Sequence, residues 1–234
     1  MSTAALQASM RRAATFAGLR ESVRCGVSAI GDIASCLPSL LFDEPPAEIG
    51  VTSFVELIGL SEARAAAQAT RIDEYLASRN DAPNIRRGIS PHAPYTVRPT
   101  LFEATVRAAS AQRVPLAFHL AESRDELQLL ARGDGPLVDY MRTLGAWDDT
   151  AIPRNTRPLD YLRVLAAAPR SLVIHGNYLA DDEIEYLAAH ADRMTTVYCP
   201  RTHAYFGHAP HPLPKLLQSG HLRRAGDRRS LHEP

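Results

Sequence analysis

The stretch PLAFHLAESRDEL, residues 115–127, combines a strand, a polar turn and the start of a helix. Pro115–Leu120 is a short apolar run of the kind that forms a buried β-strand. Ser123 and Glu126 have the spacing of a capping box, which begins a helix. The stretch therefore predicts a strand followed directly by a helix, with His119 and Glu122 at the junction.

The same unit recurs along the chain. Short apolar runs bounded by turns predict six strands, at Val27–Ala34, Ile49–Gly59, Ile85–Ser90, Pro115–Leu120, Ser171–Gly176 and Thr195–Cys199. Helical patterns follow most of them, at Ser61–Ala77, Pro99–Gln112, after Ser123, at Leu159–Ala168 and from Asp181. Repeated strand–helix units predict a parallel sheet. The Gly- and Pro-rich stretch 132–158 is interpreted as a loop insertion between a strand and a helix.

Two architectures carry such a sheet, an open doubly wound sheet and a (β/α) barrel. A doubly wound nucleotide binder should have a glycine-rich turn after its first strand, and neither GxGxxG nor GxxxxGK[ST] occurs. Polar residues instead follow several strands, one or two at each strand end. This distribution is typical of a barrel whose strand ends share one mouth, and the barrel is favoured.

Composition excludes several classes of partner. The 234 residues contain 26 basic and 26 acidic side chains, so no net charge attracts nucleic acid or a membrane surface. No apolar run is long enough to cross a bilayer. The cysteines, Cys25, Cys36 and Cys199, are odd in number and widely spaced, which predicts free thiols in a reducing cytoplasm. The expected partner is a small-molecule substrate; self-association into a homo-oligomer stays open.

Four histidines, His92, His119, His175 and His203, are predicted at or just past strand ends. A single histidine is more often packed or solvated than catalytic. Four on one rim instead indicate a shared site. Asp32 and Glu56 also lie near strand ends, and we interpret them as salt-bridge partners within the barrel.

The motifs SPHAPY, FHLAES, VIHGN and CPRTHAYFGH, in this order, resemble the amidohydrolase superfamily. The resemblance is to its metal-dependent deaminase and chlorohydrolase branch and runs from about residue 17 to residue 220. It implies an incomplete (β/α)8 TIM-type barrel containing strands two to seven. It also implies hydrolysis of a carbon–nitrogen bond in an aminated heterocycle or nucleoside by the intact parent protein. The chain as given, with one of the family's metal ligands, is expected to be impaired or inactive. The implied cofactor is a divalent metal, zinc first and iron second.

The resemblance also implies a role for each site residue. His119 matches a metal ligand, and Glu122 matches the general acid/base beside the water that the metal activates. His175 matches the histidine that steadies the attacking group. His92 and His203 match substrate-contacting positions.

The chain departs from the family pattern in two places. No His-x-His pair occurs, and no strand with the expected metal-binding aspartate follows Gly220. We therefore predict a partial barrel domain over residues 1–220 and a non-native tail over residues 221–234. The tail is arginine-rich and is interpreted as a frameshift product. The alternative function is that of a catalytically dead fragment or pseudoenzyme with a structural or interaction role.

Overall fold

A computed structural model describes residues 3–34, 49–77 and 84–221. Its six strands form one sheet, β1 Ala29–Ala34, β2 Gly50–Leu57, β3 Ile85–Pro91, β4 Leu116–Leu120, β5 Ser171–His175 and β6 Met194–Val197. Its helices are α1 Thr3–Arg24, α2 Glu62–Ala77, α3 Pro99–Gln112, α4 Arg124–Arg132, α5 Pro136–Thr143, α6 Pro158–Leu165, α7 Asp181–Ala189, α8 Pro200–Tyr205 and α9 Leu213–Gln218. All six predicted strands are confirmed, with bounds that shift by two residues or fewer at each end.

The strands pair in the order β1-β2-β3-β4-β5-β6, and every pair is parallel. In a doubly wound sheet the order reverses at a switch point, whereas here each strand lies beside its successor in sequence. Sequential parallel order is the arrangement of a (β/α) barrel. The predicted α/β class and the preference for a barrel over a doubly wound sheet are confirmed.

The two faces of the sheet bury different residues. One face packs against the helices through alternate strand positions such as Val55, Leu57, Ile89 and Phe118. The opposite face holds a separate apolar cluster of Phe54, Ala117 and Ile174. Because strand side chains alternate between faces, Glu56 and His119 follow Phe54 and Ala117 on this inner face, one step nearer the carboxyl edge.

The stretch 132–158 was predicted as a loop, and this prediction is wrong for its first part. Residues 136–143 form α5, which has a proline in its first turn and buries Val138 and Met141 against the core. Gly135, at φ 107°, is the N-cap of this helix. The glycine and the proline thus mark a helix boundary, where both residues are favoured.

The predicted helix Leu159–Ala168 also differs at its end. The observed helix α6 stops at Leu165, four residues before Pro169. Turn-type bonds from the backbone N–H groups of Ala167 and Ala168 to the carbonyls of Val164 and Leu165 replace the last helical turn.

Cys25 and Cys199 are free thiols, as predicted, and Cys36 lies outside the described residues. Among the helices described, none is long and apolar enough to cross a membrane. His221, which was assigned to the tail, is 3% exposed. It accepts a hydrogen bond from the Thr196 N–H at 3.0 Å, so it packs with the folded part of the chain. Residues 222–234 lie outside the described part.

The inner face has room for Phe54 because two glycines flank it. A Cβ at Gly88 would lie 2.5 Å from Phe54 Cε1, well inside van der Waals contact. We expect Gly88→Ala to lower the free energy of unfolding by about 1–3 kcal/mol, the usual cost of overpacking a core. Urea denaturation measures this change. Gly50→Ala is the matched control, since a Cβ there meets only the Ser28 carbonyl at 3.8 Å. Equal stability of the two variants would contradict the packing argument.

Candidate metal centre and active site

The turn after β4 brings Glu122 to the same side as His119. In a continuous strand, residues three apart would face opposite ways. The strand instead stops at Leu120, and Ala121 takes the left-handed conformation, with φ 55°. The Glu122 carboxylate then lies 3.2 Å from His175 Nε2, measured from Oε1. The junction predicted from the sequence therefore exists, and a single left-handed residue produces it.

A buried carboxylate holds this turn. Glu126 is fully buried in the first turn of α4 and accepts hydrogen bonds from the backbone N–H groups of Ala121 at 2.8 Å and Glu122 at 2.9 Å. Its own N–H donates to Ser123 Oγ at 3.1 Å, which is half of the predicted capping box. Burial raises the pKa of Glu126 to about 7, against the lowering effect of these hydrogen bonds. Glu126 thus fixes the backbone that carries Glu122.

His119 and His175 meet on neighbouring strands. Leu120 pairs with His175 in the β4–β5 register, and His119 Nδ1 lies 3.1 Å from His175 Nε2. His175 has φ 73°, a conformation that non-glycine residues rarely adopt. The buried His211 bonds through Nε2 to the His175 carbonyl at 2.8 Å and so supports this backbone. Asn177 Nδ2 donates to the Glu122 carbonyl at 2.9 Å and ties the two loops together.

His92 joins the group from β3. Its backbone N–H donates to the Leu57 carbonyl at 3.0 Å, and its own carbonyl accepts from the His119 N–H at 2.9 Å. The His92 and His119 rings are 5.1 Å apart between centroids. The carboxylate of Glu56, at the end of β2, comes within 4.8 Å of both histidines. His92 therefore lies beside His119, as predicted for a shared mouth.

Burial keeps these imidazoles uncharged. It lowers the pKa of His119 to about 3, with help from His92 and His175. It also lowers the pKa of His175 to about 4. Burial lowers the pKa of His92 as well, and the nearby Glu56 opposes that shift. For Glu122, burial raises the pKa. A neutral imidazole is the form that binds metal.

His203 lies apart from this group. Its Nε2 bonds to the Ala209 carbonyl at 2.8 Å, and its ring stands near the rings of His208 and His211. Among the described residues, no hydrogen bond or ring contact joins His203 to His119, Glu122 or His175. The structure thus brings together four of the five predicted site residues and places His203 beyond His211.

The donor atoms fit a divalent metal. The ligand atoms of His119, Glu122 and His175 all lie within 4.8 Å of one another. Around tetrahedral zinc, with bonds of about 2.0–2.1 Å, neighbouring ligands are about 3.3 Å apart. The observed separations of 3.1 Å and 3.2 Å are close to that spacing. Two neutral imidazoles and a carboxylate are also ligands that zinc accepts.

Sequence reasoning missed three residues that shape the site. Glu56 was interpreted as a salt-bridge partner, yet in the part of the chain that the structure describes no arginine or lysine pairs with its carboxylate; Arg71 bonds to its backbone carbonyl. Glu126 was identified only as a helix cap. His211 lies in the proline-flanked stretch 210–212, which has no pattern that signals a buried role.

The profile of the amidohydrolase family matches residues 8–222. Aminodeoxyfutalosine deaminase of Deinococcus radiodurans is 30% identical over 210 residues, which cover 81% of this chain and 47% of that protein. The 5'-deoxyadenosine deaminase of Methanocaldococcus jannaschii is 23% identical, over 88% of this chain and 45% of that protein. The chain thus spans about half the length of the curated relatives it matches.

Solved structures show the same fold. Helicobacter pylori aminofutalosine deaminase, in complex with methylthio-coformycin, superposes with a TM-score of 0.68 over 92% of this chain and 49% of that one, at 18% identity. Atrazine chlorohydrolase of Arthrobacter aurescens TC1, complexed with zinc, gives a TM-score of 0.65 over 89% of this chain and 46% of that one, at 16% identity.

The two hydrogen bonds that the Glu126 carboxylate accepts predict that this residue stabilises the fold. Glu126→Met removes the acceptor and leaves the N–H groups of Ala121 and Glu122 buried without partners. We expect a loss of about 2–6 kcal/mol in the free energy of unfolding, because each of the two unsatisfied donors costs about 1–3 kcal/mol. Urea denaturation measures it, with the exposed Glu185→Met on α7 as the matched control. A Glu126 variant as stable as this control would show that the two N–H groups find other partners.

Proposed function

The chain belongs to the amidohydrolase family, and from this premise we propose that the protein is a metal-dependent hydrolase that removes the amino group of an aminated heterocycle or nucleoside. The observation that carries the proposal is the convergence of His119, Glu122 and His175 within 4.8 Å. The names of two relatives, aminodeoxyfutalosine deaminase and 5'-deoxyadenosine deaminase, support the substrate class. We also propose that the six strands are strands two to seven of an eight-stranded barrel.

We propose that His119 is a metal ligand, with zinc as the first candidate and iron as the second. When bound, such a metal supplies the Lewis acidity that lowers the pKa of a water molecule to about 7. The side-chain donor atoms of Glu122 and His175 lie within 4.8 Å of the His119 ring nitrogen, so both side chains border the space beside His119. The zinc in the structurally similar chlorohydrolase supports this choice of metal.

In the proposed reaction, Glu122 moves the proton. Its carboxylate carries one proton from the attacking water to the ring nitrogen, and then the second proton, from the oxygen now bound to carbon, to the departing amine. The water oxygen bonds to the carbon, the carbon–nitrogen bond breaks, and ammonia leaves. Burial raises the pKa of Glu122, which brings it nearer to the value that a base working at neutral pH needs. His175 orients the attacking oxygen from the next strand, and His92 contacts the substrate.

His203 is a weaker candidate for substrate contact. Its Nε2 is occupied by the Ala209 carbonyl, and its ring lies near His211, which in turn bonds to the His175 carbonyl. We propose that His203 borders the substrate through its other ring edge, one layer outside the three central residues.

A second candidate is a non-catalytic domain that keeps the barrel surface. It is favoured by one observation, since the chain contains no His-x-His pair and so lacks two ligands that the family pattern supplies. A catalytic zinc site takes about three protein ligands and a water. Metal binding by the chain therefore separates the two candidates.

We expect the purified chain to bind zinc at one equivalent, because three donors already stand at ligand spacing. His119→Ala should weaken that binding by roughly 100-fold or more, since even partners of metal ligands contribute 10- to 100-fold. Isothermal titration with zinc measures both values. His190→Ala, at the end of α7, is the matched control. Zinc binding that His119→Ala leaves unchanged would favour the non-catalytic candidate.

Glu122→Gln should separate chemistry from metal binding. The amide keeps the shape of the side chain but cannot take up the proton, so we expect ammonia release to fall by about 10²–10⁴-fold. Zinc affinity should fall less than in His119→Ala, because His119 and His175 are intact and the amide oxygen remains a donor. Ammonia release from adenosine and 5'-deoxyadenosine, together with isothermal titration with zinc, tests this. Ammonia release close to normal would show that another group moves the proton.

A further inference from the structure

Glu56 stands at the site without a role in the proposed reaction. It is the penultimate residue of β2, and its register partner is Ser90 on β3. Its carboxylate lies within 4.8 Å of ring nitrogens of His92 and His119. Of the basic side chains in the described ranges, none pairs with this carboxylate. A carboxylate with unused lone pairs therefore faces the space beside His119.

The neighbouring His92 is also an acceptor. The Thr96 hydroxyl donates to the Ala93 carbonyl at 3.3 Å, so its oxygen accepts from His92 Nδ1 at 2.7 Å. This network assigns the imidazole proton to Nδ1 and leaves a lone pair on Nε2. Glu56 and His92 then cannot bond to each other, because neither brings a hydrogen to the space between them. A carboxylate has about four lone-pair sites, so Glu56 stays an acceptor in any case.

A second cation is a poor occupant for this space. A neutral imidazole offers one lone pair, and His119 Nδ1 already faces His175 Nε2. If His119 binds the proposed metal, only Glu56 and His92 are left as ligands for another ion. Two protein ligands are fewer than the three or so that hold a catalytic metal. The complementary partner is a neutral group that donates hydrogens.

We propose that Glu56 and His92 accept the hydrogens of the substrate's exocyclic amine and so select amino-bearing heterocycles over analogues without a donor. This inference rests on the proposed function and adds a specificity residue to it. His119 lies on the strand between His92 and His175, so the pair of acceptors flanks His119 on the β3 side while Glu122 and His175 flank it on the β5 side. An amidine edge, N=C–NH₂, matches this division: its ring nitrogen takes a proton from Glu122, and its amine donates to Glu56 and His92.

Two probes that differ only in this donor test the inference. Adenosine carries the amine, and 6-chloropurine riboside carries a chlorine that donates nothing. We expect the chain to bind adenosine roughly 10- to 100-fold more tightly, because the chloro compound leaves acceptors unpaired. Glu56→Met should bring the ratio of the two affinities close to one, chiefly by weakening the binding of adenosine. Glu185→Met on the exposed face of α7 is the matched control and should keep the ratio. Isothermal titration with a metal chelator present, so that neither probe is hydrolysed, measures the affinities, and circular dichroism confirms that each variant is folded.

The possible outcomes separate the two proposals. A ratio that Glu56→Met leaves unchanged overturns the role of Glu56 and leaves the proposed deamination standing. Equal affinity of the unmodified chain for both probes overturns the selectivity. Absence of binding for either probe overturns the inference together with the proposed nucleoside substrate.

Discussion

The arrangement of the site depends on one buried carboxylate. Glu126 binds the backbone N–H groups of Ala121 and Glu122, which would otherwise lose their partners where the strand ends. This bond pair stabilises the left-handed Ala121 and turns Glu122 towards His175. Without the turn, the alternation of a strand would direct Glu122 away from His119. The geometry of the candidate site is therefore a property of the backbone that Glu126 holds.

The parallel sheet supplies the second condition. All six strands run the same way, so their carboxyl ends meet at one edge. His92, His119 and His175 lie at the carboxyl ends of three consecutive strands, and neighbouring strands are about 4.8 Å apart. This spacing explains the distances of 5.1 Å and 5.2 Å between successive ring centroids. On the same inner face, Phe54 packs with Ala117 and Ile174 in an apolar cluster.

Much of this could be predicted from the sequence, because the signals are local. Apolar runs located all six strands, and the capping box located the start of α4. The site residues past strand ends followed from the direction of the strands. What could not be predicted is the partner of each polar side chain. The left-handed conformation of His175 is one example, since no local sequence pattern predicts it. The hydrogen bond from His211 to the His175 carbonyl is another, because it joins residues 36 apart in sequence.

The interpretation of Glu56 as a salt-bridge partner was wrong, although the alternation of buried residues along β2 already places its side chain on the inner face. Val55 and Leu57 are buried against the helices, so alternation places Glu56 on the inner face. A salt bridge there would need a basic residue on the inner face of a neighbouring strand. On β3 the inner-face positions beside Phe54 and Glu56 are Gly88 and Ser90, which carry no charge, and on β1 the described residue on that face is Ile33. The histidines near the carboxylate are His92 and His119. Glu56 faces inward, and its neighbours on β3 are neutral. Its carboxylate oxygens can therefore accept hydrogen bonds from a molecule that enters the site.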